Sequence, residues 1–186
     1  MLSKARGKVQ QAAAVRALRR AAFGYPRDTL SSMMVGLAAR ADCGPRTAMQ
    51  PFRILEHTAD IGFEAFGATR EEVFANAGRA LIHIVFDLES IAAREQVSIE
   101  VQGSDSAGLL VNWLSEILFL QDAENWLFRD FEVRELSDRA LSAIARGEKF
   151  DSARHQAKLL VKAITYHQLV LEQTAEGWRA QVYVDI

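Results

Sequence analysis

A chain of 186 residues, 49% hydrophobic and 25% charged with a formal charge of -2, carries apolar material for one globular core and is too short for two full domains. The charge is unevenly placed: residues 1–50 hold nine Lys or Arg against two Asp, a balance of +7, which leaves 13 basic and 22 acidic residues, or -9, in 51–186. So acidic a surface disfavours direct, sequence-blind binding of RNA, which depends on Lys and Arg displacing counterions. Cys43 is the only cysteine, which excludes an internal disulfide and a paired-cysteine metal cage and fits a reducing compartment, the cytoplasm.

Residues 1–50 form a basic N-terminal extension rich in Ala and Arg, with a weak amphipathic stretch from Val9 to Ala22 that stops before Gly24-Tyr25-Pro26. Three readings stay open for it: a disordered basic tail, an Arg-rich transit-like segment, or upstream sequence included by a start placed too early, with Met49 as the true start. Its longest apolar run, 33–39, is far shorter than the roughly 20 residues that span a bilayer, so no membrane association is expected.

Regular signals begin in the second region, 51–186. A strand Phe52–Glu56, a polar corner His57-Thr58-Ala59-Asp60 and a second strand from Ile61 to Phe66 come first. Thr69 followed by Glu72 makes a capping box, and Val73, Phe74, Ala77, Leu81, Ile84 and Val85 recur at helical spacing. Val97, Ile99 and Val101 alternate with polar neighbours as in a half-buried strand. Ser104-Asp105-Ser106 offers N-caps for a second helix with the stripe Leu109, Leu110, Trp113, Leu114, Ile117 and Leu118. Strands are then expected over 128–136, 141–149, 159–172 and from Trp178 onward, with Thr174-Ala175-Glu176-Gly177 turning the last two into a hairpin. The fold class is α/β of the α+β kind: a two-layer sandwich of a largely antiparallel sheet and two main helices.

Alternation in the last strand turns Asp185 away from the apolar face, and the α-carboxylate of Ile186 is expected beside it. Two anions held on a firm strand call for a cation. Were Asp60 brought alongside, three oxygen donors would suit Ca²⁺ or Mg²⁺ better than zinc, and an extension fused to Ile186 would impair the site. The polar corner itself is open to two readings, a functional loop or side chains that merely satisfy turn amides. In 159–172, Lys162 and Tyr166 share one face, whereas His167 falls on the more apolar face, where a hydrogen-bonded core histidine is the commoner role. His83 and His155 have no evident partner. Phosphate loops, GxSxG and HExxH are absent, as is a nucleophile with an obvious base.

The blocks Glu56-His57-Thr58-Ala59-Asp60-Ile61-Gly62, Leu109-Leu110-Val111-Asn112-Trp113-Leu114-Ser115-Glu116, Ala145-Arg146-Gly147-Glu148 and Val161-Lys162-Ala163-Ile164-Thr165-Tyr166-His167, with the ending Val182-Tyr183-Val184-Asp185-Ile186, resemble the archease family. The resemblance spans 52–186 in order and implies a fold related to strand-helix-strand-strand modules. It also implies a non-catalytic role as activator of the GTP-dependent RtcB-type RNA ligase, which joins RNA ends, notably tRNA exon halves. The accessory protein would promote guanylylation of the ligase and its multiple turnover, contacting RNA only indirectly through it. By resemblance, Asp60, Asp185 and the main-chain oxygen of Ile186 would bind a divalent metal, Ca²⁺ or Mg²⁺, with Mn²⁺ a third choice; Lys162 would be a functional surface residue, with His57 at the same corner. Two alternatives stand beside this: a small metal-dependent hydrolase with His57 as its one candidate base, or an RNA-binding or chaperone-like module associated with tRNA-modification enzymes. The basic extension 1–50 departs from the family pattern.

Overall fold

A computed structural model describes residues 50–56 and 61–186. The expectations for the N-terminal extension, and those for His57 and Asp60, lie outside the described residues. The described chain forms β1 (Phe52–Glu56), β2 (Ile61–Gly67), α1 (Arg70–Val85), a 3-10 turn Leu88–Ser90, β3 (Glu95–Gln102), α2 (Ser106–Glu124), β4 (Trp126–Leu136), β5 (Ala140–Lys149), β6 (Ala163–Ile164), β7 (Val170–Thr174) and β8 (Gly177–Asp185).

Both helices start where short polar side chains supply the acceptors that a first turn lacks. Thr69 caps α1, its side chain accepting from the Glu72 amide at 3.2 Å, and Glu72 reaches back to accept from the Ala68 amide at 2.7 Å. Asp105 caps α2 by accepting from the Gly108 amide at 2.7 Å, which also holds its carboxyl below the usual range. Asn125 ends α2 in the left-handed conformation (φ 56°), and its amide donates to the Leu120 carbonyl. Neither helix is long and apolar enough to cross a membrane.

The α+β sandwich with two main helices is as expected, but its antiparallel strands divide into two sheets. One runs β1-β2-β8-β6, with β7 also paired to β8; the other runs β3-β5-β4. Helix α1 packs on both, through β2 and β4, while α2 packs on β3 and against α1. Phe63 and Ala65 of β2, Ala180 and Val182 of β8, Phe74 and Leu81 of α1, and Trp113 and Leu114 of α2 are all fully buried. Trp113 joins the layers: its indole donates to the Phe74 carbonyl of α1 at 3.0 Å, and its ring stands edge-on to Phe131 of β4, 5.4 Å away.

The hairpin between β7 and β8 forms as expected, Thr174 opposite Gly177 around a two-residue loop, Ala175 and Glu176. Gly177 takes φ 135°, and a Cβ there would fall 2.5 Å from the Gly67 carbonyl oxygen. The long strand expected over 159–172 is corrected. Only Ala163–Ile164 and Val170–Thr174 are strand, separated by a turn in which Gln168 takes φ 49°. The interruption cancels the alternation, so His167 is exposed rather than set in the core.

Replacing Trp113 should separate packing from hydrogen bonding. Trp113→Ala is expected to cost about 3 to 5 kcal/mol of unfolding free energy, and Trp113→Phe, which keeps a ring against Phe131, less than half of that. Denaturant midpoints at unchanged slope measure both.

Candidate functional site

The end of β8 is fixed from both sides. On one edge Ile61, the first residue of β2, pairs with Val184; on the other Ala163 of β6 pairs with Asp185. The main chain beyond β6 continues the grip, the Thr165 amide and hydroxyl both donating to the Tyr183 carbonyl, at 3.1 and 3.0 Å. A Cβ at Gly62 would fall 2.7 Å from the Val182 carbonyl oxygen and 2.8 Å from the Tyr183 ring, and His167 meets that ring edge-on with centroids 6.0 Å apart. Only glycine at 62 admits this close approach.

Three of the expected residues converge here. The Lys162 amide donates to the Asp185 carbonyl at 2.7 Å, and its ammonium donates to the Ile186 main-chain oxygen at 2.8 Å. Asp185, Ile186 and Lys162 are all exposed, while Val161 and Val184 beside them are buried and anchor the backbone. The Asp185 side chain has no hydrogen bond or ion pair among the described residues, in which no group of three or more His, Cys, Asp or Glu is placed to hold a metal. What these residues offer is an exposed carboxylate and a main-chain oxygen, hard donors of the kind Ca²⁺ and Mg²⁺ take, with a lysine ammonium already on the second. The four residues 57–60 connect Glu56 to Ile61, which pair with each other.

Two buried carboxylates that sequence reasoning missed carry polar networks away from this tip. Glu64 of β2 is buried between Arg53 and Arg179, accepting from Arg53 Nε and from Arg179 Nε at 2.7 Å, while Arg179 also donates to Glu172 at 2.7 Å. Burial alone would raise the Glu64 carboxyl; the two guanidinium bonds outweigh it and hold it below its usual range. Its place in a polar-apolar alternation resembles that of any solvated strand residue. The second is Glu148, at the end of β5. Its carboxylate accepts from Arg154 through two bonds, 3.2 and 2.8 Å, and from the Ala92 amide at 2.8 Å, and lies 3.1 Å from His155 Nε2. The Asp151 amide donates to His155 Nδ1 at 2.9 Å, so Nε2 carries the proton toward Glu148. Led by the Arg154 bonds, these contacts lower the Glu148 carboxyl to about 2. His155 thus has a partner after all, and the only signal for it was the short spacing from Glu148.

A single-core α+β sandwich, with an exposed, oxygen-rich tip where β2, β6 and β8 meet, is the class of protein that fold and site define. The chain belongs to the archease family: residues 52–186 match the family model described as Archease protein family (MTH1598/TM1083). It is 42% identical over 139 residues to the protein archease of Methanosarcina mazei, a match covering 73% of this chain and 95% of that one. To the protein archease of Pyrococcus furiosus it is 41% identical over 142 residues, 74% of this chain and 100% of that one. The solution structure of Methanobacterium thermoautotrophicum protein 1598 superposes with a TM-score of 0.64 at 32% identity, covering 74% of this chain and all of that one.

The Glu148 clasp makes an acid-stability prediction. A carboxyl lowered from 4.5 to about 2 on folding adds stability above its unfolded value and loses it as pH falls from 4.5 through 2. The contribution is on the order of 2 kcal/mol, allowing for solvent around the half-exposed Arg154. Chemical unfolding of wild type between pH 6 and about 2 is expected to show that loss. Glu148→Gln should be less stable near neutrality and show a flatter profile over the same window.

Proposed function

We propose that this protein is a metal-binding accessory factor that activates an RtcB-type RNA ligase, promoting guanylylation of the ligase and its repeated turnover in tRNA splicing or RNA repair, without catalysing a reaction itself. One observation carries most weight: strand pairing delivers the chain at Ile61, next to Asp60, opposite Val184, next to Asp185, while Lys162 reaches the Ile186 oxygen. Asp185, Ile186 and Lys162, which the archease resemblance marks as functional, thus lie at the exposed end of β8, and Asp60 directly precedes Ile61 in the sequence.

In this reading Asp60, Asp185 and the Ile186 main-chain oxygen would hold Ca²⁺ or Mg²⁺, with Mn²⁺ the third choice; all are hard oxygen donors. Such an ion would supply a concentrated positive charge at the end of an otherwise acidic domain. The chain's own part is to hold the donors still: the close approach of β8 to Gly62 and the paired Thr165 bonds fix the end of β8, and Lys162 fixes the orientation of the Ile186 oxygen. His57, at the same corner, is a further candidate contact. Activation requires that the tip bind one state of the ligase more tightly than another. With -9 over residues 51–186, RNA is reached through the ligase, in the cytoplasm where the ligase works. Association with tRNA-modification enzymes is the alternative partner class.

The test adds the protein to its cognate ligase with GTP, divalent metal and RNA ends, and counts turnovers per ligase. Wild type should convert a single-turnover ligase into a multiple-turnover one. Asp60→Ala and Asp185→Ala should each abolish stimulation while unfolding at the wild-type temperature, and equilibrium dialysis should show their bound metal lost. Lys162→Ala is expected to weaken stimulation at unchanged stability. Normal stimulation by both aspartate variants would overturn the metal-tip reading; no stimulation by wild type would overturn the ligase.

A further inference from the structure

The turn that interrupts the strand expected over 159–172 carries a residue in an unfavourable conformation. Tyr166 to Leu169 form a β-turn closed by the Leu169 amide, which donates to the Tyr166 carbonyl at 3.3 Å, and Gln168 takes its third position at φ 49°. That position favours glycine or asparagine, since other side chains crowd their own backbone there. Asn125 and Gln168 are the two non-glycine residues at positive φ among the described residues. Asn125 ends a helix, where a left-handed residue is common. Gln168 caps no helix, so its conformation has to be held by what surrounds it.

The surroundings supply three holds. Before the turn the Thr165 amide and hydroxyl donate to the Tyr183 carbonyl, after it Val170 pairs with Gln181, and beside it Gln181 Nε2 donates to the Gln168 carbonyl at 3.1 Å. Gln181 is itself fixed. It lies on the face of β8 away from the buried Ala180 and Val182, where its Oε1 accepts from Arg179 at 2.9 Å, and Arg179 is bonded to the buried Glu64. A neutral hydrogen bond and the penalty for a left-handed side chain are of the same order, so the Gln181 bond is large enough to offset the strain. What the turn controls lies upstream. With 165–169 looped in this way, Ile164 faces Val184, Ala163 faces Asp185, and Lys162 falls beside Ile186, its amide on the Asp185 carbonyl at 2.7 Å and its ammonium on the Ile186 oxygen at 2.8 Å. An extended residue 168 would open the turn and slide β6 along β8.

We propose that Gln168 and Gln181 are positioning residues of the tip: Gln181 holds Gln168 left-handed, and that turn sets the register of β6 that puts Lys162 on the Ile186 oxygen. The proposal rests on the reading of this tip as the site that acts on the ligase, and it requires no contact of either glutamine with metal or ligase.

Amide hydrogen exchange in the full chain reads the register without the ligase, through the Lys162 and Thr165 amides that donate to β8. Gln168→Val opposes the left-handed backbone with a β-branched side chain, and Gln181→Met removes the donor at similar volume. Each is expected to speed exchange at both amides about tenfold, the scale of one lost hydrogen bond, with Phe63 and Val182 at wild-type rates and the unfolding temperature kept. Gln168→Gly, which adopts positive φ freely, should exchange as wild type and should restore protection when added to Gln181→Met. Ligase stimulation should fall and recover in the same order. Wild-type exchange at Lys162 and Thr165 in both single variants would show that the Thr165 bonds set the register unaided and overturn the proposal. So would a lack of recovery with Gln168→Gly, or full stimulation by variants whose exchange has changed. Exchange as expected with no stimulation by wild type would bear out the turn and overturn the ligase reading instead.

Discussion

The antiparallel pairing of β2 with β8 is the contact on which the rest of this fold depends. It joins segments more than a hundred residues apart, Glu64 and Arg179 being separated by 115, and so carries a large loop-closure cost that neighbouring strands avoid. Burial offsets that cost. Phe63 lies opposite Val182 and Ala65 opposite Ala180, all four fully buried, and on the other face Glu64 is enclosed by guanidiniums from β1 and β8. Helix α1 covers the apolar face through Val73, Phe74 and Ala77. Without this pairing, Ile61 and Val184 would have no reason to meet.

The far edge of β8 is shared between two short strands, and the sharing sets the position of Lys162. Val170 pairs with Gln181 and Ala163 with Asp185, so seven residues on one side span four on the other and three are looped out around Gln168. Had the β7 register run on unbroken, Tyr166 would face Asp185 and Lys162 would lie beyond Ile186. The interruption draws the chain back by three residues and sets the Lys162 ammonium on the Ile186 oxygen. A broken strand is therefore what assembles the tip, while a continuous one would have displayed a tyrosine there.

This is also where sequence reasoning stopped. The helices were legible because their signals are local: a Thr69–Glu72 box, an Asp105 cap and apolar stripes at the helical period. The final hairpin was legible for the same reason, in Thr174 to Gly177. Nothing local announces that the looped-out residues near Gln168 will break a strand rich in Leu, Val and Ile, or that the strands will separate into two sheets with α1 packed on both. Nor does alternation reveal that Glu64 is buried: the two arginines that neutralise it come from other strands. Of the tip, the exposure of Asp185 and of Lys162 followed from the sequence, whereas the contact between Lys162 and Ile186 depends on a register that only the folded chain supplies.

The acids of this domain separate by what they touch. Glu64, Asp130, Glu132, Asp138 and Glu148 each face an arginine, and those that are buried and hydrogen-bonded fix one strand or loop against another, as Glu148 fixes the Ala92 amide and His155 to the end of β5. Such pairs contribute specificity of arrangement more than net stability, because each charge also had to be taken out of water. Exposed acids such as Glu71, Glu95 and Asp185 have no ion pair among the described residues. Asp185 differs from the others in its place, at the end of the central strand beside the contact between Lys162 and Ile186. Its carboxylate holds no strand or loop in place among the described residues.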